Sequence, residues 1–431
     1  MSTQVHANLT EEQVEEISAQ LGEPEWLLET RLEALSALDD LAMPDIIRTP
    51  GRDWTNLQAL EYETLVDPLD WAQEKDRVTA EGVDVLPWSE ALDRHGDRIE
   101  EHFGSVVDSR RDYLTALSTA LFSAGTVVYV PEGVAAEDVT IRTRMNSRSL
   151  FNYTLVVAEK SSSVTILERQ TTGEDAKPVE ESEARRASDH ASGPSAREQT
   201  AEPRDEGRYY SGVVEAIAGE NAHVQYGTLQ TLSEETYNFS VKRGHADQYG
   251  TVNWIEGNLG SRLTKTSVET RLLGDSSETK IVGAFFGHED QHFDLGSRVW
   301  HEAENTTADL VTRGVLQDSA RSVYEGVQDV GREAWNTSSY QRENTLMLSD
   351  ESEADASPKL IINNHDTEAS HSATVGQVDE GDLFYMTSRG VGEQRARNML
   401  VEGFFVPVLE EVEVAELRED LGDLVATRLR E

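Results

Sequence analysis

Apolar residues near the start of the chain recur at helical intervals. Leu28, Leu32, Leu35 and Leu38 share one face of a segment opened by Pro24, whose fixed φ suits a first helical turn, and Pro44 closes it. Upstream, Thr10-Glu11-Glu12-Gln13 has the spacing of a capping box, in which hydroxyl and carboxamide each satisfy a backbone N–H of the first turn. A further helix is expected over 108–122, where Tyr113, Leu114, Leu117 and Leu121 fall on one face before Ser123-Ala124-Gly125 interrupts it. Residues 1–122 therefore read as a helical N-terminal region.

After Gly125 the pattern changes to short β-rich phrases, among them Val127-Val128-Tyr129-Val130, Leu155-Val156-Val157 and Val164-Thr165-Ile166, divided by Gly, Ser, Asn or Asp. A small residue followed two later by an aliphatic one recurs at Ala222/Val224, Gly250/Val252, Thr279/Ile281 and Ala308/Leu310. Such a period suits a β-solenoid, whose coils cannot bury an apolar face alone and so stack at a fixed interval. The Asn-Gly and Asp-Gly turns that an antiparallel sandwich would favour are missing between these phrases. A mainly β fold follows, with a β-helix core over 123–377. Within it, 171–207 has almost no large apolar residue and is expected to be a disordered acidic insertion.

Helical texture returns over 378–431: Leu383, Phe384 and Met386 in a short helix, a break at Gly390, a second candidate from Glu393 to Phe405, and a terminal one after Glu410. Such helices would dock a partner, cap the open end of the solenoid, or do both, since the two roles are compatible.

Composition narrows the function. Among 431 residues, 38 Lys+Arg face 81 Asp+Glu for a net charge of -43, and only seven of the cations are Lys. Nucleic acid is thereby an unfavourable ligand, and the balance looks like adaptation to salt, which screens self-repulsion. There is no cysteine, so the chain offers no disulfide and no thiolate for soft metals. No apolar run is long enough to span a membrane and the start lacks signal-peptide features, which reads as a cytoplasmic protein.

The sharpest catalytic pattern is His288-Glu289-Asp290-Gln291-His292, which matches the H-E-x-x-H zinc-hydrolase motif. That motif requires a helix to bring both imidazoles to one metal. Here the flanks, Ala284-Phe285-Phe286-Gly287 and Phe293-Asp294-Leu295-Gly296, read as strand and turn. Nucleophile-elbow, phosphate-loop and dinucleotide motifs are missing, and a carbohydrate enzyme with paired carboxylates cannot be singled out among so many acids.

The phrase Ser370-His371-Ser372-Ala373-Thr374-Val375-Gly376, followed by Leu383-Phe384-Tyr385 and Ser388-Arg389-Gly390, resembles the SufB/SufD family of iron-sulfur cluster assembly proteins and is closest to the SufD branch. Gly22-Glu23-Pro24-Glu25-Trp26-Leu27-Leu28-Glu29, Val128-Tyr129-Val130-Pro131-Glu132-Gly133-Val134 and Gln291-His292-Phe293-Asp294 support it. The resemblance implies a right-handed parallel β-helix with helical flanks, in a non-enzymatic scaffold. It implies pairing with a SufB-like subunit through the β-helix and docking of a SufC-like ABC ATPase through Leu383, Phe384, Met386 and Arg389; a homodimer is the alternative pairing. It also implies that His371 contacts iron or a cluster at the SufB interface, the cluster being transient on the complex and no cofactor being held by this chain alone. Many SufD-like proteins carry cysteine where this chain has Ala369, which leaves an imidazole and carboxylates such as Glu368 as its donors.

Overall fold

The computed structural model describes residues 9–44, 73–78, 80–173, 207–412 and 415–429. All of the 171–207 insertion except its first three residues and its last lies outside the described residues.

At the N-terminal end, Thr10 and Gln13 close both halves of the capping box of α1 (Glu11–Leu21), and Gly22 ends it in the left-handed region at φ 67°. Pro24 then opens α2 (Glu25–Ala37). Between them stands Glu23, whose carboxylate pairs at 2.6 Å with Arg31, and both side chains are fully buried. The same guanidinium donates to the carbonyls of Ala120 and Phe122, at 3.0 and 2.8 Å. A buried charge is tolerable only when paired and hydrogen-bonded. Arg31 meets both conditions, and in doing so ties α2 to the end of α4 (Tyr113–Leu121). The helix α3 (Trp88–His102) is amphipathic, buries Trp88, Ala91 and Ile99, and is kinked at His95; Gly96 at the kink hides its period in the sequence.

From Ala124 to Gln377 the chain winds as a β-solenoid of about eight coils. Each coil gives one strand to each of two nine-stranded sheets, and within each sheet successive coils pair in parallel. One corner of the coil turns on a residue with positive φ: Ser161, Asn221, Tyr249, Ser276, Asn305 and Asn336. Three of the six are Asn, the residue type other than Gly that best tolerates this conformation. The sequence period is partly in register. Val224 stacks on Val252, and Thr279 on Ala308, but Val252 stacks on Thr279, two residues from the expected position. A slip of two keeps every side chain on its own face of the sheet, so hydrophobic alternation cannot reveal it.

Two strands that the helical reading did not include lie within the N-terminal stretch. β1 (Gln73–Val78) and β2 (Asp84–Leu86) run antiparallel to the first strand of each sheet, β4 (Ala135–Met145) and β3 (Ala124–Val130). The opposite end is bounded by β17 (Glu353–Ile362) and β18 (Thr367–Gln377), the last strands of their sheets.

The C-terminal helices do not cap that end. α6 (Glu393–Glu410) and α7 (Ala415–Arg428) lie along the outer face of one sheet, where Val401, Phe405, Val408, Leu417, Leu421 and Val425 pack on Leu167, Ile255, Val282 and Val311. Covering these aliphatic side chains removes their apolar surface from water. Among the described residues no helix is long and apolar enough to cross a membrane.

Candidate functional site at the open end of the solenoid

Strand alternation sorts the last coil into two rows. On β16 (Thr337–Met347), Ser339, Gln341, Glu343 and Thr345 point inward and are buried. Their stacked partners on β18 are Ala369, His371, Ala373 and Val375. Among the described residues no further coil covers these, so His371 and Val375 stand at the surface although they occupy the inward row. On the opposite sheet Ile362 continues the inward row above Val330 and is 46% exposed, while Ile361 beside it is 42% exposed. The last coil thus presents two long unpaired strand edges, an aliphatic rim and one imidazole.

Glu368 lies elsewhere. Being three residues from His371, it falls on the outward row, beside the Tyr340 hydroxyl, whose pKa its hydrogen bond raises. The carboxylate expected to share a ligand with His371 is therefore directed to the other face.

The docking residues of the sequence reading are on or next to α5 (Glu380–Ser388), which has no buried residue. Phe384 is 73% exposed, Tyr385 is 59% exposed, Leu383 and Met386 are half-buried, and Arg389 lies over the Tyr385 ring at 5.2 Å. The helix is capped by Asp379, which accepts from the N–H groups of Gly381 and Asp382. It is well formed yet leaves its aromatic side chains in water.

The H-E-x-x-H pattern does not form a metal centre. Residues 288–291 are a turn leading into β13 (His292–His301), with Glu289 in the left-handed region. His288 pairs with Glu234 at 2.8 Å. Gln291 donates to the Ser261 carbonyl at 2.8 Å and accepts from the His288 N–H, joining turns of successive coils. The phrase is structural. Among the described residues no group of three or more His, Asp or Glu could hold a metal ion.

What the sequence reading missed lies inside the coil. One inward row runs Glu168, Thr228, Glu256, Gly283, Thr312, Glu343, Ala373 in stacked register. Lys242 reaches across from the other sheet to both oxygens of Glu256 at 2.7 Å and to Thr228 at 2.6 Å. Glu343 is held by Thr345 through one oxygen only, and burial pushes its carboxyl up to about 7. A signal was present: Ser339, Gln341, Glu343 and Thr345 put four polar residues on an inward row where the preceding coil has Ala308, Leu310, Thr312 and Gly314.

Comparison with known proteins decides the family. The model described as SUF system FeS cluster assembly, SufBD core domain, matches residues 186–404, and that of the SufBD protein N-terminal region matches 53–141. The chain belongs to the SufBD family. An iron-sulfur cluster assembly SufBD family protein of Staphylococcus haemolyticus is 29% identical, with 94% of this chain and 90% of the relative aligned. Relatives of the same description from Staphylococcus epidermidis and Staphylococcus aureus are 28% identical, with the same coverage. The coils, their helical flanks and the open end are therefore those of a SufBD protein of the iron-sulfur assembly machinery, and no finding favours the hydrolase reading.

Proposed function

We propose that this SufBD protein is the SufD-type, non-enzymatic subunit of a SufB-SufC-SufD scaffold. The observation that carries the reading is the last coil, where among the described residues the outer edges of β17 and β18 have no strand partner, with an aliphatic rim and His371 on the uncovered inward row. Open strand edges of this length are normally blunted or covered in a protein that works alone. A second β-solenoid seated there, from a SufB-like subunit, continues both sheets and encloses His371 at the junction. With no cysteine in the chain, thiolates for a transient cluster come from that partner, and His371 supplies a neutral imidazole. The aromatic face of α5 is the dock for a SufC-like ATPase, whose nucleotide-driven movement opens the junction.

Co-expression with SufB-like and SufC-like proteins of the same source tests the assembly: the tagged chain retains both, and retention of neither overturns the reading. In the reconstituted complex His371→Ala lowers cluster accumulation several-fold while leaving the subunits associated. Unchanged accumulation removes His371 from the ligand set.

A further inference from the structure

The level of the coil just beneath the open end contains a polar side chain that the free chain leaves without a partner. Gln341 is 1% exposed, yet among the described residues neither atom of its amide makes a hydrogen bond. A buried amide in that state carries its full desolvation cost. It reaches across the interior: a Cβ on Gly326, in the facing strand β15 (Arg321–Val330), would come within 1.7 Å of the amide nitrogen. The Tyr324 hydroxyl, which lies beside Ser297, Thr312 and Gln341, is buried and likewise unpartnered.

Buried amides in folded proteins almost always find partners, so the level stacked above this one matters. Gly326 lies under Pro358, and Tyr324 under Ala356. Gln341 lies under His371, with Ala369 and Ala373 as the neighbours of His371 in the same inward row. Proline and alanine side chains offer no hydrogen bond. The imidazole is the side-chain hydrogen-bonding group directly over the amide. Adjacent strands are about 4.8 Å apart, and two side chains of this length close that gap to a hydrogen bond of about 3 Å when the ring turns inward.

We propose that Gln341 is a positioning residue for His371: when a partner solenoid closes the open end, the imidazole turns in over the coil and one ring N–H donates to the Gln341 side-chain oxygen. The other ring nitrogen is then presented to the junction as the iron ligand. This rests on the reading of His371 as an interface ligand. A metal-bound imidazole generally gives its second ring N–H to an oxygen acceptor, which fixes its tautomer and ring plane and strengthens the bound nitrogen as a donor. In the same arrangement the Gln341 amide nitrogen donates to the Tyr324 hydroxyl oxygen, so the two unpartnered groups are satisfied together. Glu343 is not the acceptor, since it lies under Ala373 and is held by Thr345. The unpaired amide is thus a cost in the free chain that closure of the junction relieves.

The test uses the isolated full chain and the complex reconstituted with SufB-like and SufC-like proteins, the latter titrated anaerobically with Fe²⁺. Gln341→Met keeps the length of the side chain and removes its hydrogen-bonding atoms. In the isolated chain its unfolding midpoint equals or exceeds that of wild type, because an unpartnered buried amide has gone. In the complex the same variant weakens Fe²⁺ binding by about tenfold or more, with the subunits still associated. Gln341→Glu, which keeps an oxygen acceptor at the same reach, binds Fe²⁺ as wild type does. If His371→Ala weakens Fe²⁺ binding and Gln341→Met does not, this inference falls and the ligand reading stands. If neither weakens it, the ligand reading falls and takes the inference with it. A structure of the wild-type complex decides without any variant: a ring nitrogen of His371 lies within about 3.2 Å of the Gln341 amide. An imidazole turned away, with the amide bonded to water or to nothing, overturns the proposal.

Discussion

The two ends of the solenoid carry the same kind of strand edge and treat it in opposite ways. At the first coil, β2 and β1 run antiparallel along β3 and β4, and Val128 between β2 and the next coil is fully buried. Helices α2 to α4 close over the adjoining face, anchored by Arg31 and by Glu215, which accepts N–H groups of Gly104, Val106 and Val107 and the Tyr153 hydroxyl. At the last coil nothing among the described residues corresponds, and residues on the inward row of β18 meet solvent. A chain that adds β1 and β2 to close the edges at one end shows that open edges are costly to leave. The uncovered one is the edge that the proposed SufB-like pairing uses.

The strongest way to break this contrast is to place the same charge at each end. Val128→Asp buries an unpaired carboxylate at the closed end and destabilises the fold by about 4 kcal/mol or more, seen as loss of cooperative thermal unfolding at 37 °C. Val375→Asp, at a position 39% exposed, changes stability by no more than about 0.5 kcal/mol. It weakens association with the SufB-like partner by about 30-fold or more, as removal of a central interface contact does. Equal destabilisation by both substitutions would show that the two ends are not different in kind.

Next in size is the pH dependence contributed by Glu343. Burial raises its folded-state pKa from 4.5 to about 7, so between those values the folded protein binds more protons than the unfolded one. Its carboxyl thus costs nothing below about pH 4.5 and progressively destabilises the wild type as pH rises to 7, by about 3 kcal/mol in all. The stability difference between Glu343→Gln and wild type grows in favour of the variant over that range and is level above it. Denaturant titrations at four or five pH values measure it, and a difference independent of pH refutes the assignment.

Much of this contrast was legible in the sequence because local chemistry wrote it there. The capping box at Thr10 and Gln13 needs no tertiary context, and neither does the turnover from helical to strand periodicity at Gly125. The coil period could be read except where it slips by two at Thr279, since a slip of two is invisible to alternation. The closing strands were not legible: β2 is three residues long, and β1 (Gln73–Val78) is a charged phrase, Gln-Glu-Lys-Asp-Arg-Val, whose strand state comes from pairing with β4. That Glu368 faces away from His371 follows from alternation alone, three residues apart on one strand, and was legible once 367–377 was taken as extended. His371 itself was identified through family resemblance, and its role is tested by cluster accumulation.

The smallest expected effect on stability sharpens the contrast within the C-terminal helices. α6 buries Ala396, Val401, Phe405 and Val408 against the solenoid, whereas α5 buries nothing and holds Phe384 out at 73% exposure. An aromatic ring in that position contributes little to the monomer, and much to a partner that desolvates it. Phe384→Ser therefore moves the unfolding midpoint by an amount equivalent to at most about 0.5 kcal/mol. In a pull-down with the SufC-like ATPase it reduces retention strongly, while Phe384→Tyr preserves it. In the proposed assembly the SufB-like partner pairs at β17 and β18, and so stays bound to the Phe384→Ser chain. Loss of both partners together would mean that the substitution disturbs the last coil, and that α5 and the open end are one surface.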